Sequence, residues 1–195
     1  MSNSVESKPK LLIFSAPSGA GKSTLAKMFL DRHPDKFRLS ISCTTRSPRG
    51  TEKEGIHYYF VEPHRFQEMM TQGAFLEYAH VFNRYYYGTS AQKVKSYLDQ
   101  GFHVLFDIDV QGAQSIKKVY GTQCFTVFIM PPSLEELEKR LRGRGTESEG
   151  SIKMRMDTAR KEIAAAPTFD LQIVNHSLEE SYLEIQKWLT QKGFF

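Results

Sequence analysis

The chain has 195 residues, 40% of them hydrophobic and 25% charged, with a formal net charge of +4 at pH 7. That balance suits one ordinary globular domain with its own core, and it excludes collagen-like, disordered and coiled-coil chains. No apolar run approaches the roughly 20 residues that span a bilayer, and the two cysteines and six histidines show no metal-ligand spacing. Cys43 and Cys124 are expected to be reduced thiols in a cytoplasmic protein. Residues 1–9 form a polar tail without the apolar stretch of a secretory signal. The mild basic excess suits a phosphate-bearing partner, polymer or nucleotide.

Leu11-Leu12-Ile13-Phe14 is a short continuous apolar run, the pattern of a strand buried on both faces of a parallel sheet. It leads into Ala16-Pro17-Ser18-Gly19-Ala20-Gly21-Lys22-Ser23-Thr24, after which Leu25, Met28 and Phe29 recur at helical spacing. The turn fits G-x-x-x-x-G-K-[ST] with Ala16 in place of the first glycine, in the strand–turn–helix context that motif requires. Glycines let successive backbone N–H groups converge on phosphate oxygens, and the helix N-terminus adds its dipole. Lys22 would bridge the β and γ phosphates and the Ser23 hydroxyl would ligate Mg²⁺. This predicts a nucleoside triphosphate site and is silent about the acceptor.

Residues 37–90 break the alternation of strand and helix. Segments 37–42, 56–61, 75–82 and 85–88 read as short aromatic-rich strands, with a short helix near 64–71, so the region is expected to be a small mixed α/β insertion. Within it, Arg46-Ser47-Pro48-Arg49 puts two guanidinium forks on a turn that Pro48 keeps out of a helix. Such a pair can clamp a terminal phosphate, although four residues of this kind also fit a solvated basic loop.

Further buried strands are predicted at 103–108, 124–130 and 171–175, with helices opening near Val110, Leu134 and Leu178. The last two follow capping boxes, Ser133 with Glu136 and Ser177 with Glu180. The alternation predicts an α/β fold with a parallel sheet. Asp107 and Asp109 share one face at the end of a strand, where ligands of open α/β sheets collect; Asp109 also fits an ordinary helix cap. Residues 143–150 read as the tip of a mobile loop flanked by Arg140, Arg144 and Arg155.

Several stretches together resemble the guanylate kinases of bacterial type, in order and approximate spacing, from Leu11 to the C-terminal helix. They are Ser42 through Arg49, Gly55-Ile56-His57-Tyr58-Tyr59-Phe60, Phe75-Leu76-Glu77, Tyr86-Tyr87-Gly88-Thr89, Asp107 through Gly112, Arg140 through Glu147, Arg155 and Ile173-Val174-Asn175. The resemblance implies a single domain over 10–195: a P-loop NTPase core (10–36 and 91–195), a GMP-binding insertion (37–90) and a small lid (about 140–156). It implies transfer of the γ-phosphate of ATP to GMP with Mg²⁺, and no nucleic-acid or membrane partner. Arg46, Arg49, Tyr58 and Tyr87 would then hold the GMP phosphate, and Ser42, Glu77 and Thr89 would read the guanine. Asp107 and Asp109 would line the space between the nucleotides. The resemblance puts Arg144 and Arg155 on the transferred phosphate, Arg140 near ATP and Asn175 beside the adenine, with ATP otherwise on Ala16 through Thr24.

The chemistry of the base agrees with Glu77, because guanine offers adjacent N1–H and N2–H donors to one carboxylate while adenine offers an acceptor at N1. The sequence departs from the family pattern at Ala16, Thr51 and His57, and 81–88 is one residue longer than usual. The assignments of Tyr87 and Thr89 therefore rest on anchoring at Tyr-Gly-Thr.

Overall fold

The computed structural model describes residues 8–81, 84–143 and 148–195. Strand β1 (Leu11–Ser15) is buried along its whole length because it is the centre of a five-stranded parallel sheet. Its neighbours are β7 (His103–Asp107) and β8 (Cys124–Met130); β2 (Phe37–Leu39) lies outside β7 and β9 (Leu171–Val174) outside β8. The alternation of β1 divides the core in two. Leu12 and Phe14 pack with α1 (Lys22–Arg32) and α7 (Leu178–Gln191). Leu11 and Ile13 pack on the other face with α3 (Ala91–Asp99) and α4 (Val110–Tyr120).

The predicted core strands are all present, within one residue at either end except that β7 and β9 stop one short. Both capping boxes form: Ser133 accepts from the Glu136 N–H and Ser177 from the Glu180 N–H. Helix α3 has no counterpart in the sequence reading; Ser90 caps it and only Val94 is fully buried on it. Residues 37–39 also differ from expectation. They join the central sheet through β7 rather than the insertion, because Phe37 is buried against Phe29 and Phe194.

The rest of the insertion is a second, four-stranded sheet in the order β4-β3-β6-β5, made of β3 (Cys43–Thr44), β4 (Tyr59–Phe60), β5 (Phe75–Val81) and β6 (Tyr85–Ser90). Helix α2 (Pro63–Thr71) anchors it by stacking Phe66 on Phe75 and Tyr86. Gly88 is needed there, since a Cβ would stand 2.9 Å from Phe75 and 3.0 Å from Phe66. Helices α5 (Leu134–Arg142) and α6 (Glu149–Ala164) pair through Leu137, Leu141, Ile152 and Met156. The last two residues of the loop predicted at 143–150 begin α6, capped by Ser148; residues 144–147, Arg144 among them, lie outside the described residues. Among the described residues no helix is long and apolar enough to cross a membrane.

His103 ties the two ends of the chain to the sheet. It is 5% exposed, and its Nδ1 accepts the Lys10 backbone N–H at 3.0 Å while the Lys10 ammonium donates to the Lys192 and Gly193 carbonyls. Burial, with the Lys10 charge adding to it, pushes the imidazole down to about 4. The unfolded chain titrates near 6.5 and takes up this proton first, so stability is complete above about pH 6.5 and falls as the pH drops toward 4, by about 3 kcal/mol in all. Urea midpoints measured from pH 7 to pH 4 should show that slope, and His103→Asn should flatten it at the cost of some stability at pH 7.

Candidate active site

The parallel register sets Phe14 beside Asp107, so the turn that follows β1 opens next to the end of β7. This is the crevice where the chain crosses from one side of β1 to the other, the usual ligand position in open α/β sheets. Gly19 and Gly21 have φ of 98° and 97°, which side chains rarely adopt. At Gly21 a Cβ would also stand 2.4 Å from the Asn175 amide nitrogen. Asn175, 4% exposed, sits beneath the loop with its amide committed: it donates to the Ala20 carbonyl at 2.8 Å and accepts from the Ser181 hydroxyl at 3.0 Å. That is a brace for the turn.

Lys22 opens α1 and reaches across the turn. Its ammonium lies 2.5 Å from Asp107 Oδ1 and donates to the Ile108 carbonyl at 3.1 Å. Ser23 and Thr24 face the same cleft, of about 500 Å³, whose walls also include Pro17, Ser18, Tyr58 and Asp109. From α6, Arg155 donates to the Ser18 hydroxyl at 3.0 Å, so a guanidinium of this helix touches the loop. Arg140 pairs with Glu136 one turn back on α5, and Arg142 bonds Glu138 and Glu149 on an exposed face.

A second cavity of about 240 Å³ adjoins the first and shares Lys22, Ser42, Tyr58, Asp107 and Asp109 with it. Its far wall is the β5–β6 ladder, where Glu77 pairs with Thr89 and Ala79 with Tyr87. Alternation puts these four on one face, while His80 stacks on Tyr86 on the other; the register separates Tyr85 and Tyr87 from Tyr86, and of the two it is Tyr87 that lines the cavity. The Thr89 hydroxyl donates to Glu77 Oε1 at 2.5 Å. Burial raises the Glu77 carboxyl above the usual carboxylate range, with the Thr89 bond opposing and Asp109 adding. Asp109 also caps α4, accepting the Gly112 N–H at 2.8 Å, and lines both cavities.

The two arginines of the basic turn are treated differently. Arg46 is 5% exposed and forms a two-point pair with Glu52, both contacts 2.9 Å, while its Nε donates to the Tyr87 hydroxyl at 3.1 Å. Arg49 is exposed. The sequence reading passed over Glu52, whose only signal is a carboxylate three residues after Arg49. It also passed over Glu162 on α6, which lines the larger cleft; burial pushes its carboxyl up to about 7, Lys22 opposing and Asp109 adding.

The model of the guanylate kinase family matches residues 8–192. The chain belongs to the guanylate kinase family. It is 46% identical over 182 residues to the guanylate kinase of Porphyromonas gingivalis, covering 93% of this chain and 97% of that protein. With the guanylate kinase of Rickettsia felis it shares 46% identity over 183 residues, 94% of each. The crystal structure of guanylate kinase from Anaplasma phagocytophilum superposes with a TM-score of 0.76 at 32% identity, over 95% of this chain and 87% of that one. The central parallel sheet with its phosphate-type loop is thus the P-loop fold that the sequence predicts.

The brace under the loop is testable by itself. Asn175→Ala leaves the Ala20 carbonyl and the Ser181 hydroxyl without their partner, and it should cost about 1–3 kcal/mol of stability. A urea midpoint equal to wild type would show that the amide does not hold the loop.

Proposed function

We propose that this chain transfers the γ-phosphoryl group of ATP to GMP, giving ADP and GDP, with Mg²⁺ as the cation. The observation that carries the reading is the pair of adjoining cavities with Lys22 and Asp107 in their shared wall. One is lined by the glycine turn and the start of α1, suited to a triphosphate; the other ends at a half-buried carboxylate, suited to a base with two adjacent donors. Phosphates of the two nucleotides would meet where the cavities join.

Each residue then has a physical task. Ala16 through Thr24 wrap the ATP phosphates with backbone N–H groups, and Lys22 exchanges the Asp107 carboxylate for phosphate oxygens. The Glu77 carboxylate accepts from guanine N1–H and N2–H, with Thr89 and Ser42 completing the base pocket. Tyr58, Tyr87, Arg46 and Arg49 take the GMP phosphate. Arg155, already at Ser18, and Arg144 neutralise charge on the moving phosphoryl group, while Arg140 lies on the ATP side. Closure of the insertion and of the 140–156 lid brings these groups together and excludes water.

The residues present suit Mg²⁺. Among the described residues no group of three or more His, Cys, Asp or Glu could hold a metal ion, so the cation would rest on the Ser23 hydroxyl and phosphate oxygens, the common habit of Mg²⁺. When bound, it supplies charge neutralisation at the phosphates.

ADP formation from Mg·ATP, measured with GMP, AMP, CMP and UMP separately, tests the reading. A large response to GMP alone is expected; an equal response to AMP, or none to GMP, would overturn it. In Glu77→Gln the preference for GMP should fall at least tenfold, because the amide cannot accept from both guanine donors.

A further inference from the structure

We propose that Glu52 is the positioning residue of the acceptor-phosphate site: one carboxylate fixes Arg46 through its guanidinium and Arg49 through its backbone. The inference rests on reading the insertion as the GMP site and adds to that site a residue without a role so far.

The donors of Arg46 can be followed one by one. A guanidinium has five N–H groups in a rigid fork. The two that point away from the chain meet Glu52, from Nη1 to Oε2 and from Nη2 to Oε1, each at 2.9 Å. Nη1 also donates to the Ser47 carbonyl at 2.7 Å, and Nε donates to the Tyr87 hydroxyl at 3.1 Å. What remains is the second N–H of Nη2, on the same edge as Nε. Glu52 therefore occupies the end of the fork and turns its side edge toward Tyr87, which lines the smaller cavity. The Tyr58 ring lies 5.3 Å from the guanidinium carbon and closes the sandwich.

Glu52 is itself held by the turn it organises. Oε2 accepts the Arg49 backbone N–H at 2.8 Å, and the Glu52 backbone N–H donates to the Arg49 carbonyl at 2.9 Å. This reciprocal ring clips residues 49 to 52 together and fixes the point from which the exposed Arg49 side chain extends. The Arg46 guanidinium, followed by the Arg49 N–H, holds the Glu52 carboxyl below the usual carboxylate range, so it stays ionised at neutral pH. A guanidinium as buried as Arg46 loses its solvation, and without a paired carboxylate it would swing toward water and away from Tyr87. The alternative is that Glu52 merely fills the phosphate's seat and is displaced by it. The geometry favours positioning, because the carboxylate meets the end edge of the fork and the side edge faces the cavity.

The two roles give opposite results. In Glu52→Gln, which keeps the shape, and in Glu52→Ala, the KM for GMP should rise at least tenfold while the KM for ATP stays within twofold. Inhibition by guanosine, which lacks the phosphate, should stay within twofold of wild type. Glu52→Gln decides the matter if Glu52→Ala does not fold. An unchanged KM for GMP, a lower one, or a guanosine constant that weakens in parallel would each overturn the proposal. Those results presuppose a wild-type chain that phosphorylates GMP; a wild type inactive on GMP would overturn the functional reading itself, which separates the two failures.

Discussion

The contact between Lys22 and Asp107 is the point from which the rest of the site is arranged. It exists because β1 and β7 are neighbours in register, so the helix that starts after β1 and the carboxylate that ends β7 meet at one opening. A half-buried ammonium needs an anion beside it, and Asp107 supplies one in this arrangement. On the proposed function, phosphate oxygens entering the glycine turn would supply another, of higher charge, and the lysine would pass from one to the other without being left unpaired. Everything else in the cleft lies on one or other side of that exchange.

Acidic groups on the acceptor side solve a problem that a purely basic pocket would not. Positive charge alone attracts any phosphate, and it says nothing about base or orientation. Glu77 and Glu52 are both carboxylates within the insertion, yet burial raises one while a guanidinium lowers the other. On the proposed function, the first would face donors that only some bases carry. The second pairs with an arginine and holds its guanidinium in one place. Selectivity and orientation would then come from negative residues set among positive ones.

How much of this could be read from residues alone depends on distance along the chain. The phosphate-type turn is local, nine residues running from the end of β1 into the first turn of α1, and its expected form is the observed one. The same holds for the capping boxes and for the strands around β1, whose apolar runs have no other reading. Glu77, Tyr87 and Thr89 enter through the resemblance, the last two anchored at Tyr-Gly-Thr, and the β5–β6 register puts all three on one face. Phe37 was misplaced because one buried aromatic, packed on helix and C-terminus, outweighs the polar residues after it. Asn175 and Glu52 were hidden for a different reason. Their roles depend on how the fold places their partners: a carbonyl 155 residues away for the first, and for the second an arginine six residues back whose side chain is buried. No spacing rule encodes either.

The central claim is that one chain holds a triphosphate and a monophosphate in adjoining cavities with their phosphates facing. Adenosine and guanosine joined through five phosphates test it most directly, because one molecule then spans both sites and the second binding event becomes intramolecular. Calorimetric titration should give one molecule per chain, at least tenfold tighter than ATP alone, with ATP and GMP each displaced. Affinity no better than that of ATP, with GMP still binding beside it, would contradict the account.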